Sequence, residues 1–272
     1  MPGRFEGLSV EQLDLLYRFM PPQPEKRGKG KPHAPWSEIL NTIFYVLTTG
    51  CRWADVPKGS IWGARSTAHR WLGIWQKNGT WKRIQRGLLG AAELVGLIDW
   101  ERASIDGSFA AGKGGGEGIE YGGKGKGVTL HALVDGKGDP LSVVSTGAKQ
   151  SEREQVLPLL DAVDVPTDKM GRPRKRPKAL QLDRGYESKE LRKKIRSRGI
   201  KPLMPKRTGP NGKPRRGRPA DVPVDRYKVE RLFAWLQRKY RRLAVRWERR
   251  NKYWLGFVSL GVIGIWISRL LG

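Results

Sequence analysis

Toward its C-terminus the chain reads "YWLGFVSLGVIGIWISRLL", Tyr253 to Leu271, and no charge interrupts it from Tyr253 to Ser268. A stretch this apolar has to be covered. A spanning helix needs roughly 20 such residues, so the preferred reading is a buried core helix, with a membrane anchor as the alternative. Leu255, Val258, Val262 and Trp266 recur at near-helical spacing and would face the core. The rest of the chain has the opposite character. Over 272 residues there are 53 Lys+Arg against 26 Asp+Glu, a net charge of +27. Self-repulsion of that excess destabilises a compact state, so it implies a polyanionic partner. Nucleic acid is the first choice and a membrane surface the second. Hydrophobic residues make up 38% of the chain, which supports one large or two modest domains with a real core. Cys51, the single cysteine, excludes an intrachain disulfide and any cysteine cluster for zinc or iron–sulfur. That suits a reducing cytoplasm. The opening "MPGRFEGLSVEQLDLL" lacks the basic flank and apolar core of a signal peptide.

Residues 1–98 read as helices. Ser9 is an N-cap ahead of "LDLLYRFM". After a basic Gly/Pro-rich link, "WSEILNTIFYVLTTG" puts Ile39, Ile43, Val46 and Leu47 on one face, with Gly50 as C-cap. "ARSTAHRWLGIWQKNG" is the next helix. Helix, connector and a helix rich in Arg, Ser, His and Gln form a helix-turn-helix pattern. Arg65, Ser66, His69, Arg70 and Gln76 could then contact DNA, while Trp71, Leu72 and Trp75 pack inward. An ordinary helical bundle is the alternative. From residue 99 to 272 the texture changes. "RASIDGS" is a short strand, and a glycine-dense loop runs from Gly112 to Gly127. A hairpin turns at Asp135-Gly136-Lys137-Gly138. Helix, strand, helix and strand follow, and then "VDRYKVERLFAWLQRKYRRLAVRWERR" as one long amphipathic helix. This order predicts an α/β layer fold with a mixed sheet flanked by helices. Two Pro/Gly-rich basic loops interrupt it, at 165–178 and 204–224. Each contains Gly-Arg-Pro, a shape suited to a minor groove, or else simply a solvated surface touching phosphates. Arg172, Arg215 and Arg216 lie in them.

Two chemistries compete in "SIDGSFAAGKGGG". Gly107 to Lys113 spell G-x-x-x-x-G-K, which would make the chain a P-loop NTPase acting on DNA. That motif needs a hydroxyl after the lysine, where Gly114 stands, and it must open a helix. The glycine-rich sequence that follows cannot hold one. The other chemistry uses carboxylates. Asp106 and Asp183 each end an apolar strand, where open α/β sheets place ligands, and Glu230 sits on the amphipathic helix. Singly, each acid is an ordinary structural residue, and Arg226 is a ready helical ion-pair partner for Glu230. As a set they suit phosphodiester chemistry. Carboxylates hold the hard ion Mg²⁺, and two such ions can stabilise the attacking and leaving oxygens of an in-line displacement.

The segments "SIDGSF", "KGVTLHALVDGKGDPLSVVSTGAKQSEREQVLPLL", "LQLDRGYESKELRKKIRSRGIKPLMPKR" and "RYKVERLFAWLQRKYRRLAVRWERR" resemble the DDE transposases of the bacterial insertion-sequence-five family. The N-terminal "WSEILNTIFYVLTTGCRWADVP" is similar to that family's DNA-binding region. The resemblance runs from about Leu8 to Leu271. It implies a ribonuclease-H-like catalytic domain, with Asp106, Asp183 and Glu230 as the triad holding two Mg²⁺ or Mn²⁺ ions. Within the family's helical motif Arg226 and Glu230 match, while Pro223 and Gln237 depart from it. Where an Asp would be expected near "GAKQSE", this chain has Glu152. The implied activity is binding of terminal inverted repeats, hydrolysis of phosphodiester bonds and joining of 3′-OH ends to target DNA. Arg184, Tyr186, Arg226 and Arg238 would steady phosphates, and Lys124 and Lys126 would be available to the backbone. The implied setting is a homodimer on double-stranded DNA in the cytoplasm, associated with the nucleoid and with no membrane partner. A non-catalytic DNA-binding protein or an inactive transposase derivative would share the charge and the helices, but it would gain nothing from three acids aimed at phosphate.

Overall fold

The computed structural model describes residues 5–25, 28, 32–168, 171–205 and 227–272. Arg215, Arg216 and Arg226, with nearly all of the second basic loop, lie outside these. The chain divides into two compact units. One comprises Met1–Leu88, Ala110–Ile119 and Trp235–Gly272, the other Leu89–Phe109 and Glu120–Ala234.

The first unit is mainly helical. Helix α1 (Val10–Tyr17) begins with a capping box in which Ser9 and Gln12 satisfy each other's backbone N–H groups. Helix α2 (Trp36–Thr49) ends at Gly50 in the left-handed region, φ 71°. Helices α3 (Arg65–Lys77) and α4 (Thr80–Leu94) follow. The last helix, α8 (Asn251–Leu271), packs against α1, α2 and α3. By length and composition α8 could cross a membrane, yet 67% of its most apolar window is buried inside the protein. Val258, Val262 and Trp266 are buried as the spacing predicts, whereas Leu255 is only partly so. Trp254 and Phe257 are fully covered instead, because burial runs nearly all round this helix rather than along one stripe. A helix with no polar face needs helices on several sides. That is why the expected contiguous division, 1–98 and 99–272, is not the one observed: the chain's last helix completes the core of its first domain.

Two local expectations are corrected here. The connection from α2 to α3 spans residues 50–64 and includes a 3-10 turn, Trp53–Asp55, far longer than the 3–4-residue turn of a helix-turn-helix. The tight turn lies instead between α3 and α4, at Asn78-Gly79. The long helix expected through Arg250 is also shorter. Helix α7 (Tyr227–Lys239) stops where Tyr240 leaves helical geometry, at φ −112° and ψ 79°. The break lets Arg242 reach Glu248 and the Cys51 carbonyl, and lets Arg246 bind the carbonyls of Glu248 and Glu117.

The second unit is built on a mixed sheet flanked by helices. Its strands are β1 (Arg102–Gly112), β2 (Glu120–Gly122), β3 (Gly125–Val134), β4 (Pro140–Gly147), β5 (Ala179–Gln181) and β6 (Lys201–Leu203), in the order β2-β3-β1-β5-β6 with β4 on β3. Strands β2 and β4 run antiparallel to β3, while β5 is parallel to β1 and to β6. The hairpin turn falls at Asp135–Gly138, and Gly138 adopts φ 92°, a conformation that favours glycine. Helices α5 (Val156–Ala162) and α6 (Lys189–Arg196) flank the sheet, and α6 is capped by Ser188. The last residues of β1 enter the first unit, where Ala111 and Gly112 pair with β7 (Val245–Arg246).

The course of β1 disposes of the P-loop. Gly107 through Gly112 are extended strand, and the Lys113 N–H donates to the Arg246 carbonyl. A phosphate cradle needs a loop that opens a helix, and neither is present at these residues. The glycine-dense loop expected from Gly112 to Gly127 is likewise partly strand, as β2 and the start of β3.

Candidate active site

The parallel register of β1 and β5 sets the geometry. Arg102 aligns with Ala179, Ala103 with Leu180 and Ser104 with Gln181. Two residues beyond the last pair stand Asp106 and Asp183. Side chains alternate with period two along a strand, so the two carboxylates leave adjacent strands on the same face, at the C-terminal side of the pairing. Asp106 continues in strand and is half-buried, its Oδ1 accepting the Gly107 N–H at 2.8 Å. Asp183 leaves the strand and caps the 3-10 turn Arg184–Tyr186, accepting the Arg184 N–H.

That turn brings Tyr186 back beneath the two acids. Tyr186 is 2% exposed, and its hydroxyl donates to Glu152 Oε2 at 3.3 Å. Burial first, and then the carboxylates of Glu152, Asp106 and Asp183, push its ionisation far above the usual phenol range. Tyr186 is therefore a permanent donor around which three carboxylates gather. The side chain expected to steady phosphates is thus buried, with its hydroxyl engaged by Glu152. Glu152 opens the 3-10 turn Glu152–Gln155 ahead of α5. Arg153, next to it, locks this turn onto the other by donating to the Gly185 carbonyl at 3.0 Å.

Gly107 lies against both Glu152 and His131. A Cβ there would lie 3.2 Å from Glu152 Oε1 and 3.3 Å from His131 Nδ1. His131 is fully buried and shares a hydrogen bond with Thr146 Oγ1 through Nε2, while its Nδ1 has no partner. Burial depresses its pKa to about 4, against 6.5 in the unfolded chain. A folded pKa below the unfolded one means that the neutral ring favours the fold. That contribution is complete above about pH 6.5 and is lost as pH falls toward 4. In metal-free protein we expect up to about 3 kcal/mol of stability to disappear across that window through this one group. His131→Gln should lack that increment, as urea unfolding at pH 7 and pH 4 would measure.

Glu230 is placed differently. It is exposed in the first turn of α7. Its neighbours Lys228 and Arg231 donate to the carbonyls of Gly136 and Lys137 in the hairpin turn, and the Gly136 N–H donates to the Asp99 carbonyl just before β1. The start of α7 thus docks where β1 begins. Four strand residues on, at about 3.3 Å each, comes Asp106. The structure gathers Asp106, Asp183 and Glu152 around Tyr186. Among the described residues no three His, Cys, Asp or Glu side chains stand in metal-ligating arrangement.

The residues expected to touch DNA divide in two. Arg65, Ser66 and Arg70 are exposed on α3. His69 is stacked on Tyr253 at 4.0 Å with Trp53 edge-on at 5.2 Å, and Gln76 accepts from the Ser259 hydroxyl. These two serve packing against α8, because α8 covers that side of α3. Lys124 and Lys126 are exposed at the β2–β3 turn. Arg172 lines a groove of about 580 Å³ with Arg174, Lys175 and Arg176. Arg184 is exposed beside Asp183. Arg238, Lys239, Arg269 and Trp235 line a separate cavity of about 340 Å³.

Comparison with known proteins places the chain. The Transposase DDE domain family matches residues 91–260, and an IS4/5 transposase family matches residues 8–85. A Burkholderia cepacia protein assigned as the transposase of insertion sequence element IS402 is 37% identical over 131 residues, covering 48% of this chain and 58% of that protein. The match therefore spans less than two thirds of that relative's length. The IS402 uncharacterized 16.2 kDa protein, from the same organism, is 34% identical over 109 residues, covering 39% of this chain and 74% of its own. Among solved structures, a piggyBac transposase synaptic complex with hairpin DNA aligns at TM-score 0.49 and 10% identity, covering 96% of this chain and 71% of that one. A pre-cleavage Mos1 transpososome aligns at TM-score 0.28 and 11% identity, covering 90% and 82%. The DDE-domain match takes in well over half of the chain, including both strand-end aspartates and the helix of Glu230: the chain belongs to the DDE transposases of the IS4/5 type.

Proposed function

We propose that the protein is an active transposase that binds the terminal inverted repeats of its element, cleaves phosphodiester bonds at their ends and joins the resulting 3′-OH to target DNA. The observation that carries this reading is that Asp106 and Asp183 each stand two residues beyond the last register pair of two adjacent parallel strands. The donor set is all carboxylate oxygen, which suits a hard divalent cation such as Mg²⁺ or Mn²⁺. Convergence of three acids on one buried phenol also leaves like charges that a cation offsets. Two bound ions would neutralise charge developing on the attacking and leaving oxygens. Asp106 and Asp183 would hold and orient them, and Glu230 would join as the family's third acid. Arg184 and the basic groove at Arg172–Arg176 neutralise backbone phosphates, and the protein acts as a homodimer that brings two ends together in the bacterial cytoplasm. The test is Mg²⁺-dependent nicking of a duplex carrying the element's ends. Purified protein that binds the ends but leaves both strands intact in Mg²⁺ and in Mn²⁺ would favour the non-catalytic alternative.

The exposed cations of α3 give a second expected result. Arg65→Ala and Arg70→Ala should each weaken end binding and lower the slope of log affinity against log salt by about 1, as loss of one phosphate contact does. His69→Ala should instead lower thermal stability, because its ring is stacked between aromatic neighbours. Gel shifts at several salt concentrations and a melting curve separate the two kinds of role.

A further inference from the structure

We propose that Glu152 is a ligand of the divalent cation held by Asp106 and Asp183, and that Tyr186 and Arg153 are the positioning residues that aim it. The proposal rests on the metal-dependent reading above and deepens it. Three observations carry it. Glu152 and the Asp183 turn are locked together twice, by the Tyr186 hydroxyl on Glu152 Oε2 at 3.3 Å and by Arg153 on the Gly185 carbonyl at 3.0 Å. Neither contact is needed to build α5, whose own apolar residues Val156, Leu159 and Leu160 bury it. Second, the carboxylate lies against the Asp106 strand at Gly107, where an added Cβ would stand 3.2 Å from Oε1. Third, the fully buried His131 presents an unpartnered Nδ1 to that same point. A buried ring nitrogen without a partner costs free energy, and it is explained where a polar group, a metal-bound water for instance, comes within its reach.

Glu152 is well suited to this role. The residue is exposed, so the carboxylate can swing from Tyr186 toward an arriving cation without unpacking the core. The structure thus assigns Glu152 to the metal site before DNA is bound.

The experiment is Mn²⁺ binding to the full-length, DNA-free protein, followed by electron paramagnetic resonance of the unbound ion. Wild-type protein should bind, and Glu152→Gln should bind at least about tenfold more weakly, the scale seen when a metal site loses a supporting group. Glu154→Gln, an exposed neighbour in the same turn, should bind as wild type does. Tyr186→Phe should weaken binding by less than Glu152→Gln, and Gly107→Ala, whose methyl crowds the carboxylate, should weaken it as well. An unchanged melting curve for Glu152→Gln would show that the fold is intact. If Asp106→Asn loses Mn²⁺ while Glu152→Gln keeps wild-type affinity, this proposal is overturned and the reading beneath it stands. If neither wild type nor Asp106→Asn binds Mn²⁺, the metal-dependent reading falls, and this proposal with it.

Discussion

Asp106→Asn is expected to bind the element's ends normally and to cleave them about 10³-fold more slowly or worse. The substitution keeps the shape and keeps an Oδ1 to accept the Gly107 N–H, so the strand should be undisturbed. What it removes is charge. Metal ions contribute several kcal/mol of transition-state stabilisation, and roughly 4 kcal/mol corresponds to about a thousandfold in rate. Asp183→Asn should do the same, because the β1–β5 register makes the two positions equivalent. Single-turnover nicking of an end-labelled duplex, alongside a gel shift for binding, measures both quantities. A variant that cleaves within about tenfold of wild type, 1.36 kcal/mol or less, would remove Asp106 from the chemistry.

Glu248→Ala should be the most damaging single change to stability. Its Oε1 accepts from Arg242 Nε at 2.7 Å, with only 10% of the arginine side chain and 4% of the glutamate exposed. Breaking a buried pair from one side strands an uncompensated charge, at a cost of about 3–5 kcal/mol. Arg242 keeps the Cys51 carbonyl as an acceptor, which softens the loss without neutralising the guanidinium. The double change Arg242→Met with Glu248→Leu should recover most of it, since apolar replacement of a buried pair is often neutral. Chemical unfolding of the three variants decides. A Glu248→Ala midpoint near that of wild type would mean that water reaches the pair.

Elements whose information is local were legible in the sequence. The Asp135–Gly138 hairpin, the Ser9 cap and the strands ahead of Asp106 and Asp183 follow from turn chemistry and apolar runs. The places of the two aspartates were legible for the same reason, since both follow their apolar runs. What failed was non-local. Nothing in the pattern of α7 marks Tyr240 as its end, because that break is stabilised by Arg242 and Arg246 finding partners far along the chain at Cys51 and Glu117. His69 looked like a DNA contact until Tyr253, 184 positions later, was seen to stack on it. Glu152 gave no spacing signal. It was conspicuous only as a departure from the family's expected Asp, and its nearness to Asp183 arises from two 3-10 turns that no periodicity announces.

The place of α8 has a consequence for how such a gene decays. Helices α2 and α3 are covered by a helix that lies far later in the sequence, Asn251–Leu271. A premature stop before Asn251 would not leave a soluble DNA-binding fragment able to compete for the element's ends. It would leave Leu72 and Trp75, residues with no exposure in the intact fold, in a half-built core. Synthesis must likewise pass α8 before the first helices can settle against it. Truncation of this element's gene should therefore silence it by yielding material for proteolysis, and a regulator would have to come from a different kind of lesion, one that spares α8 and strikes the carboxylates.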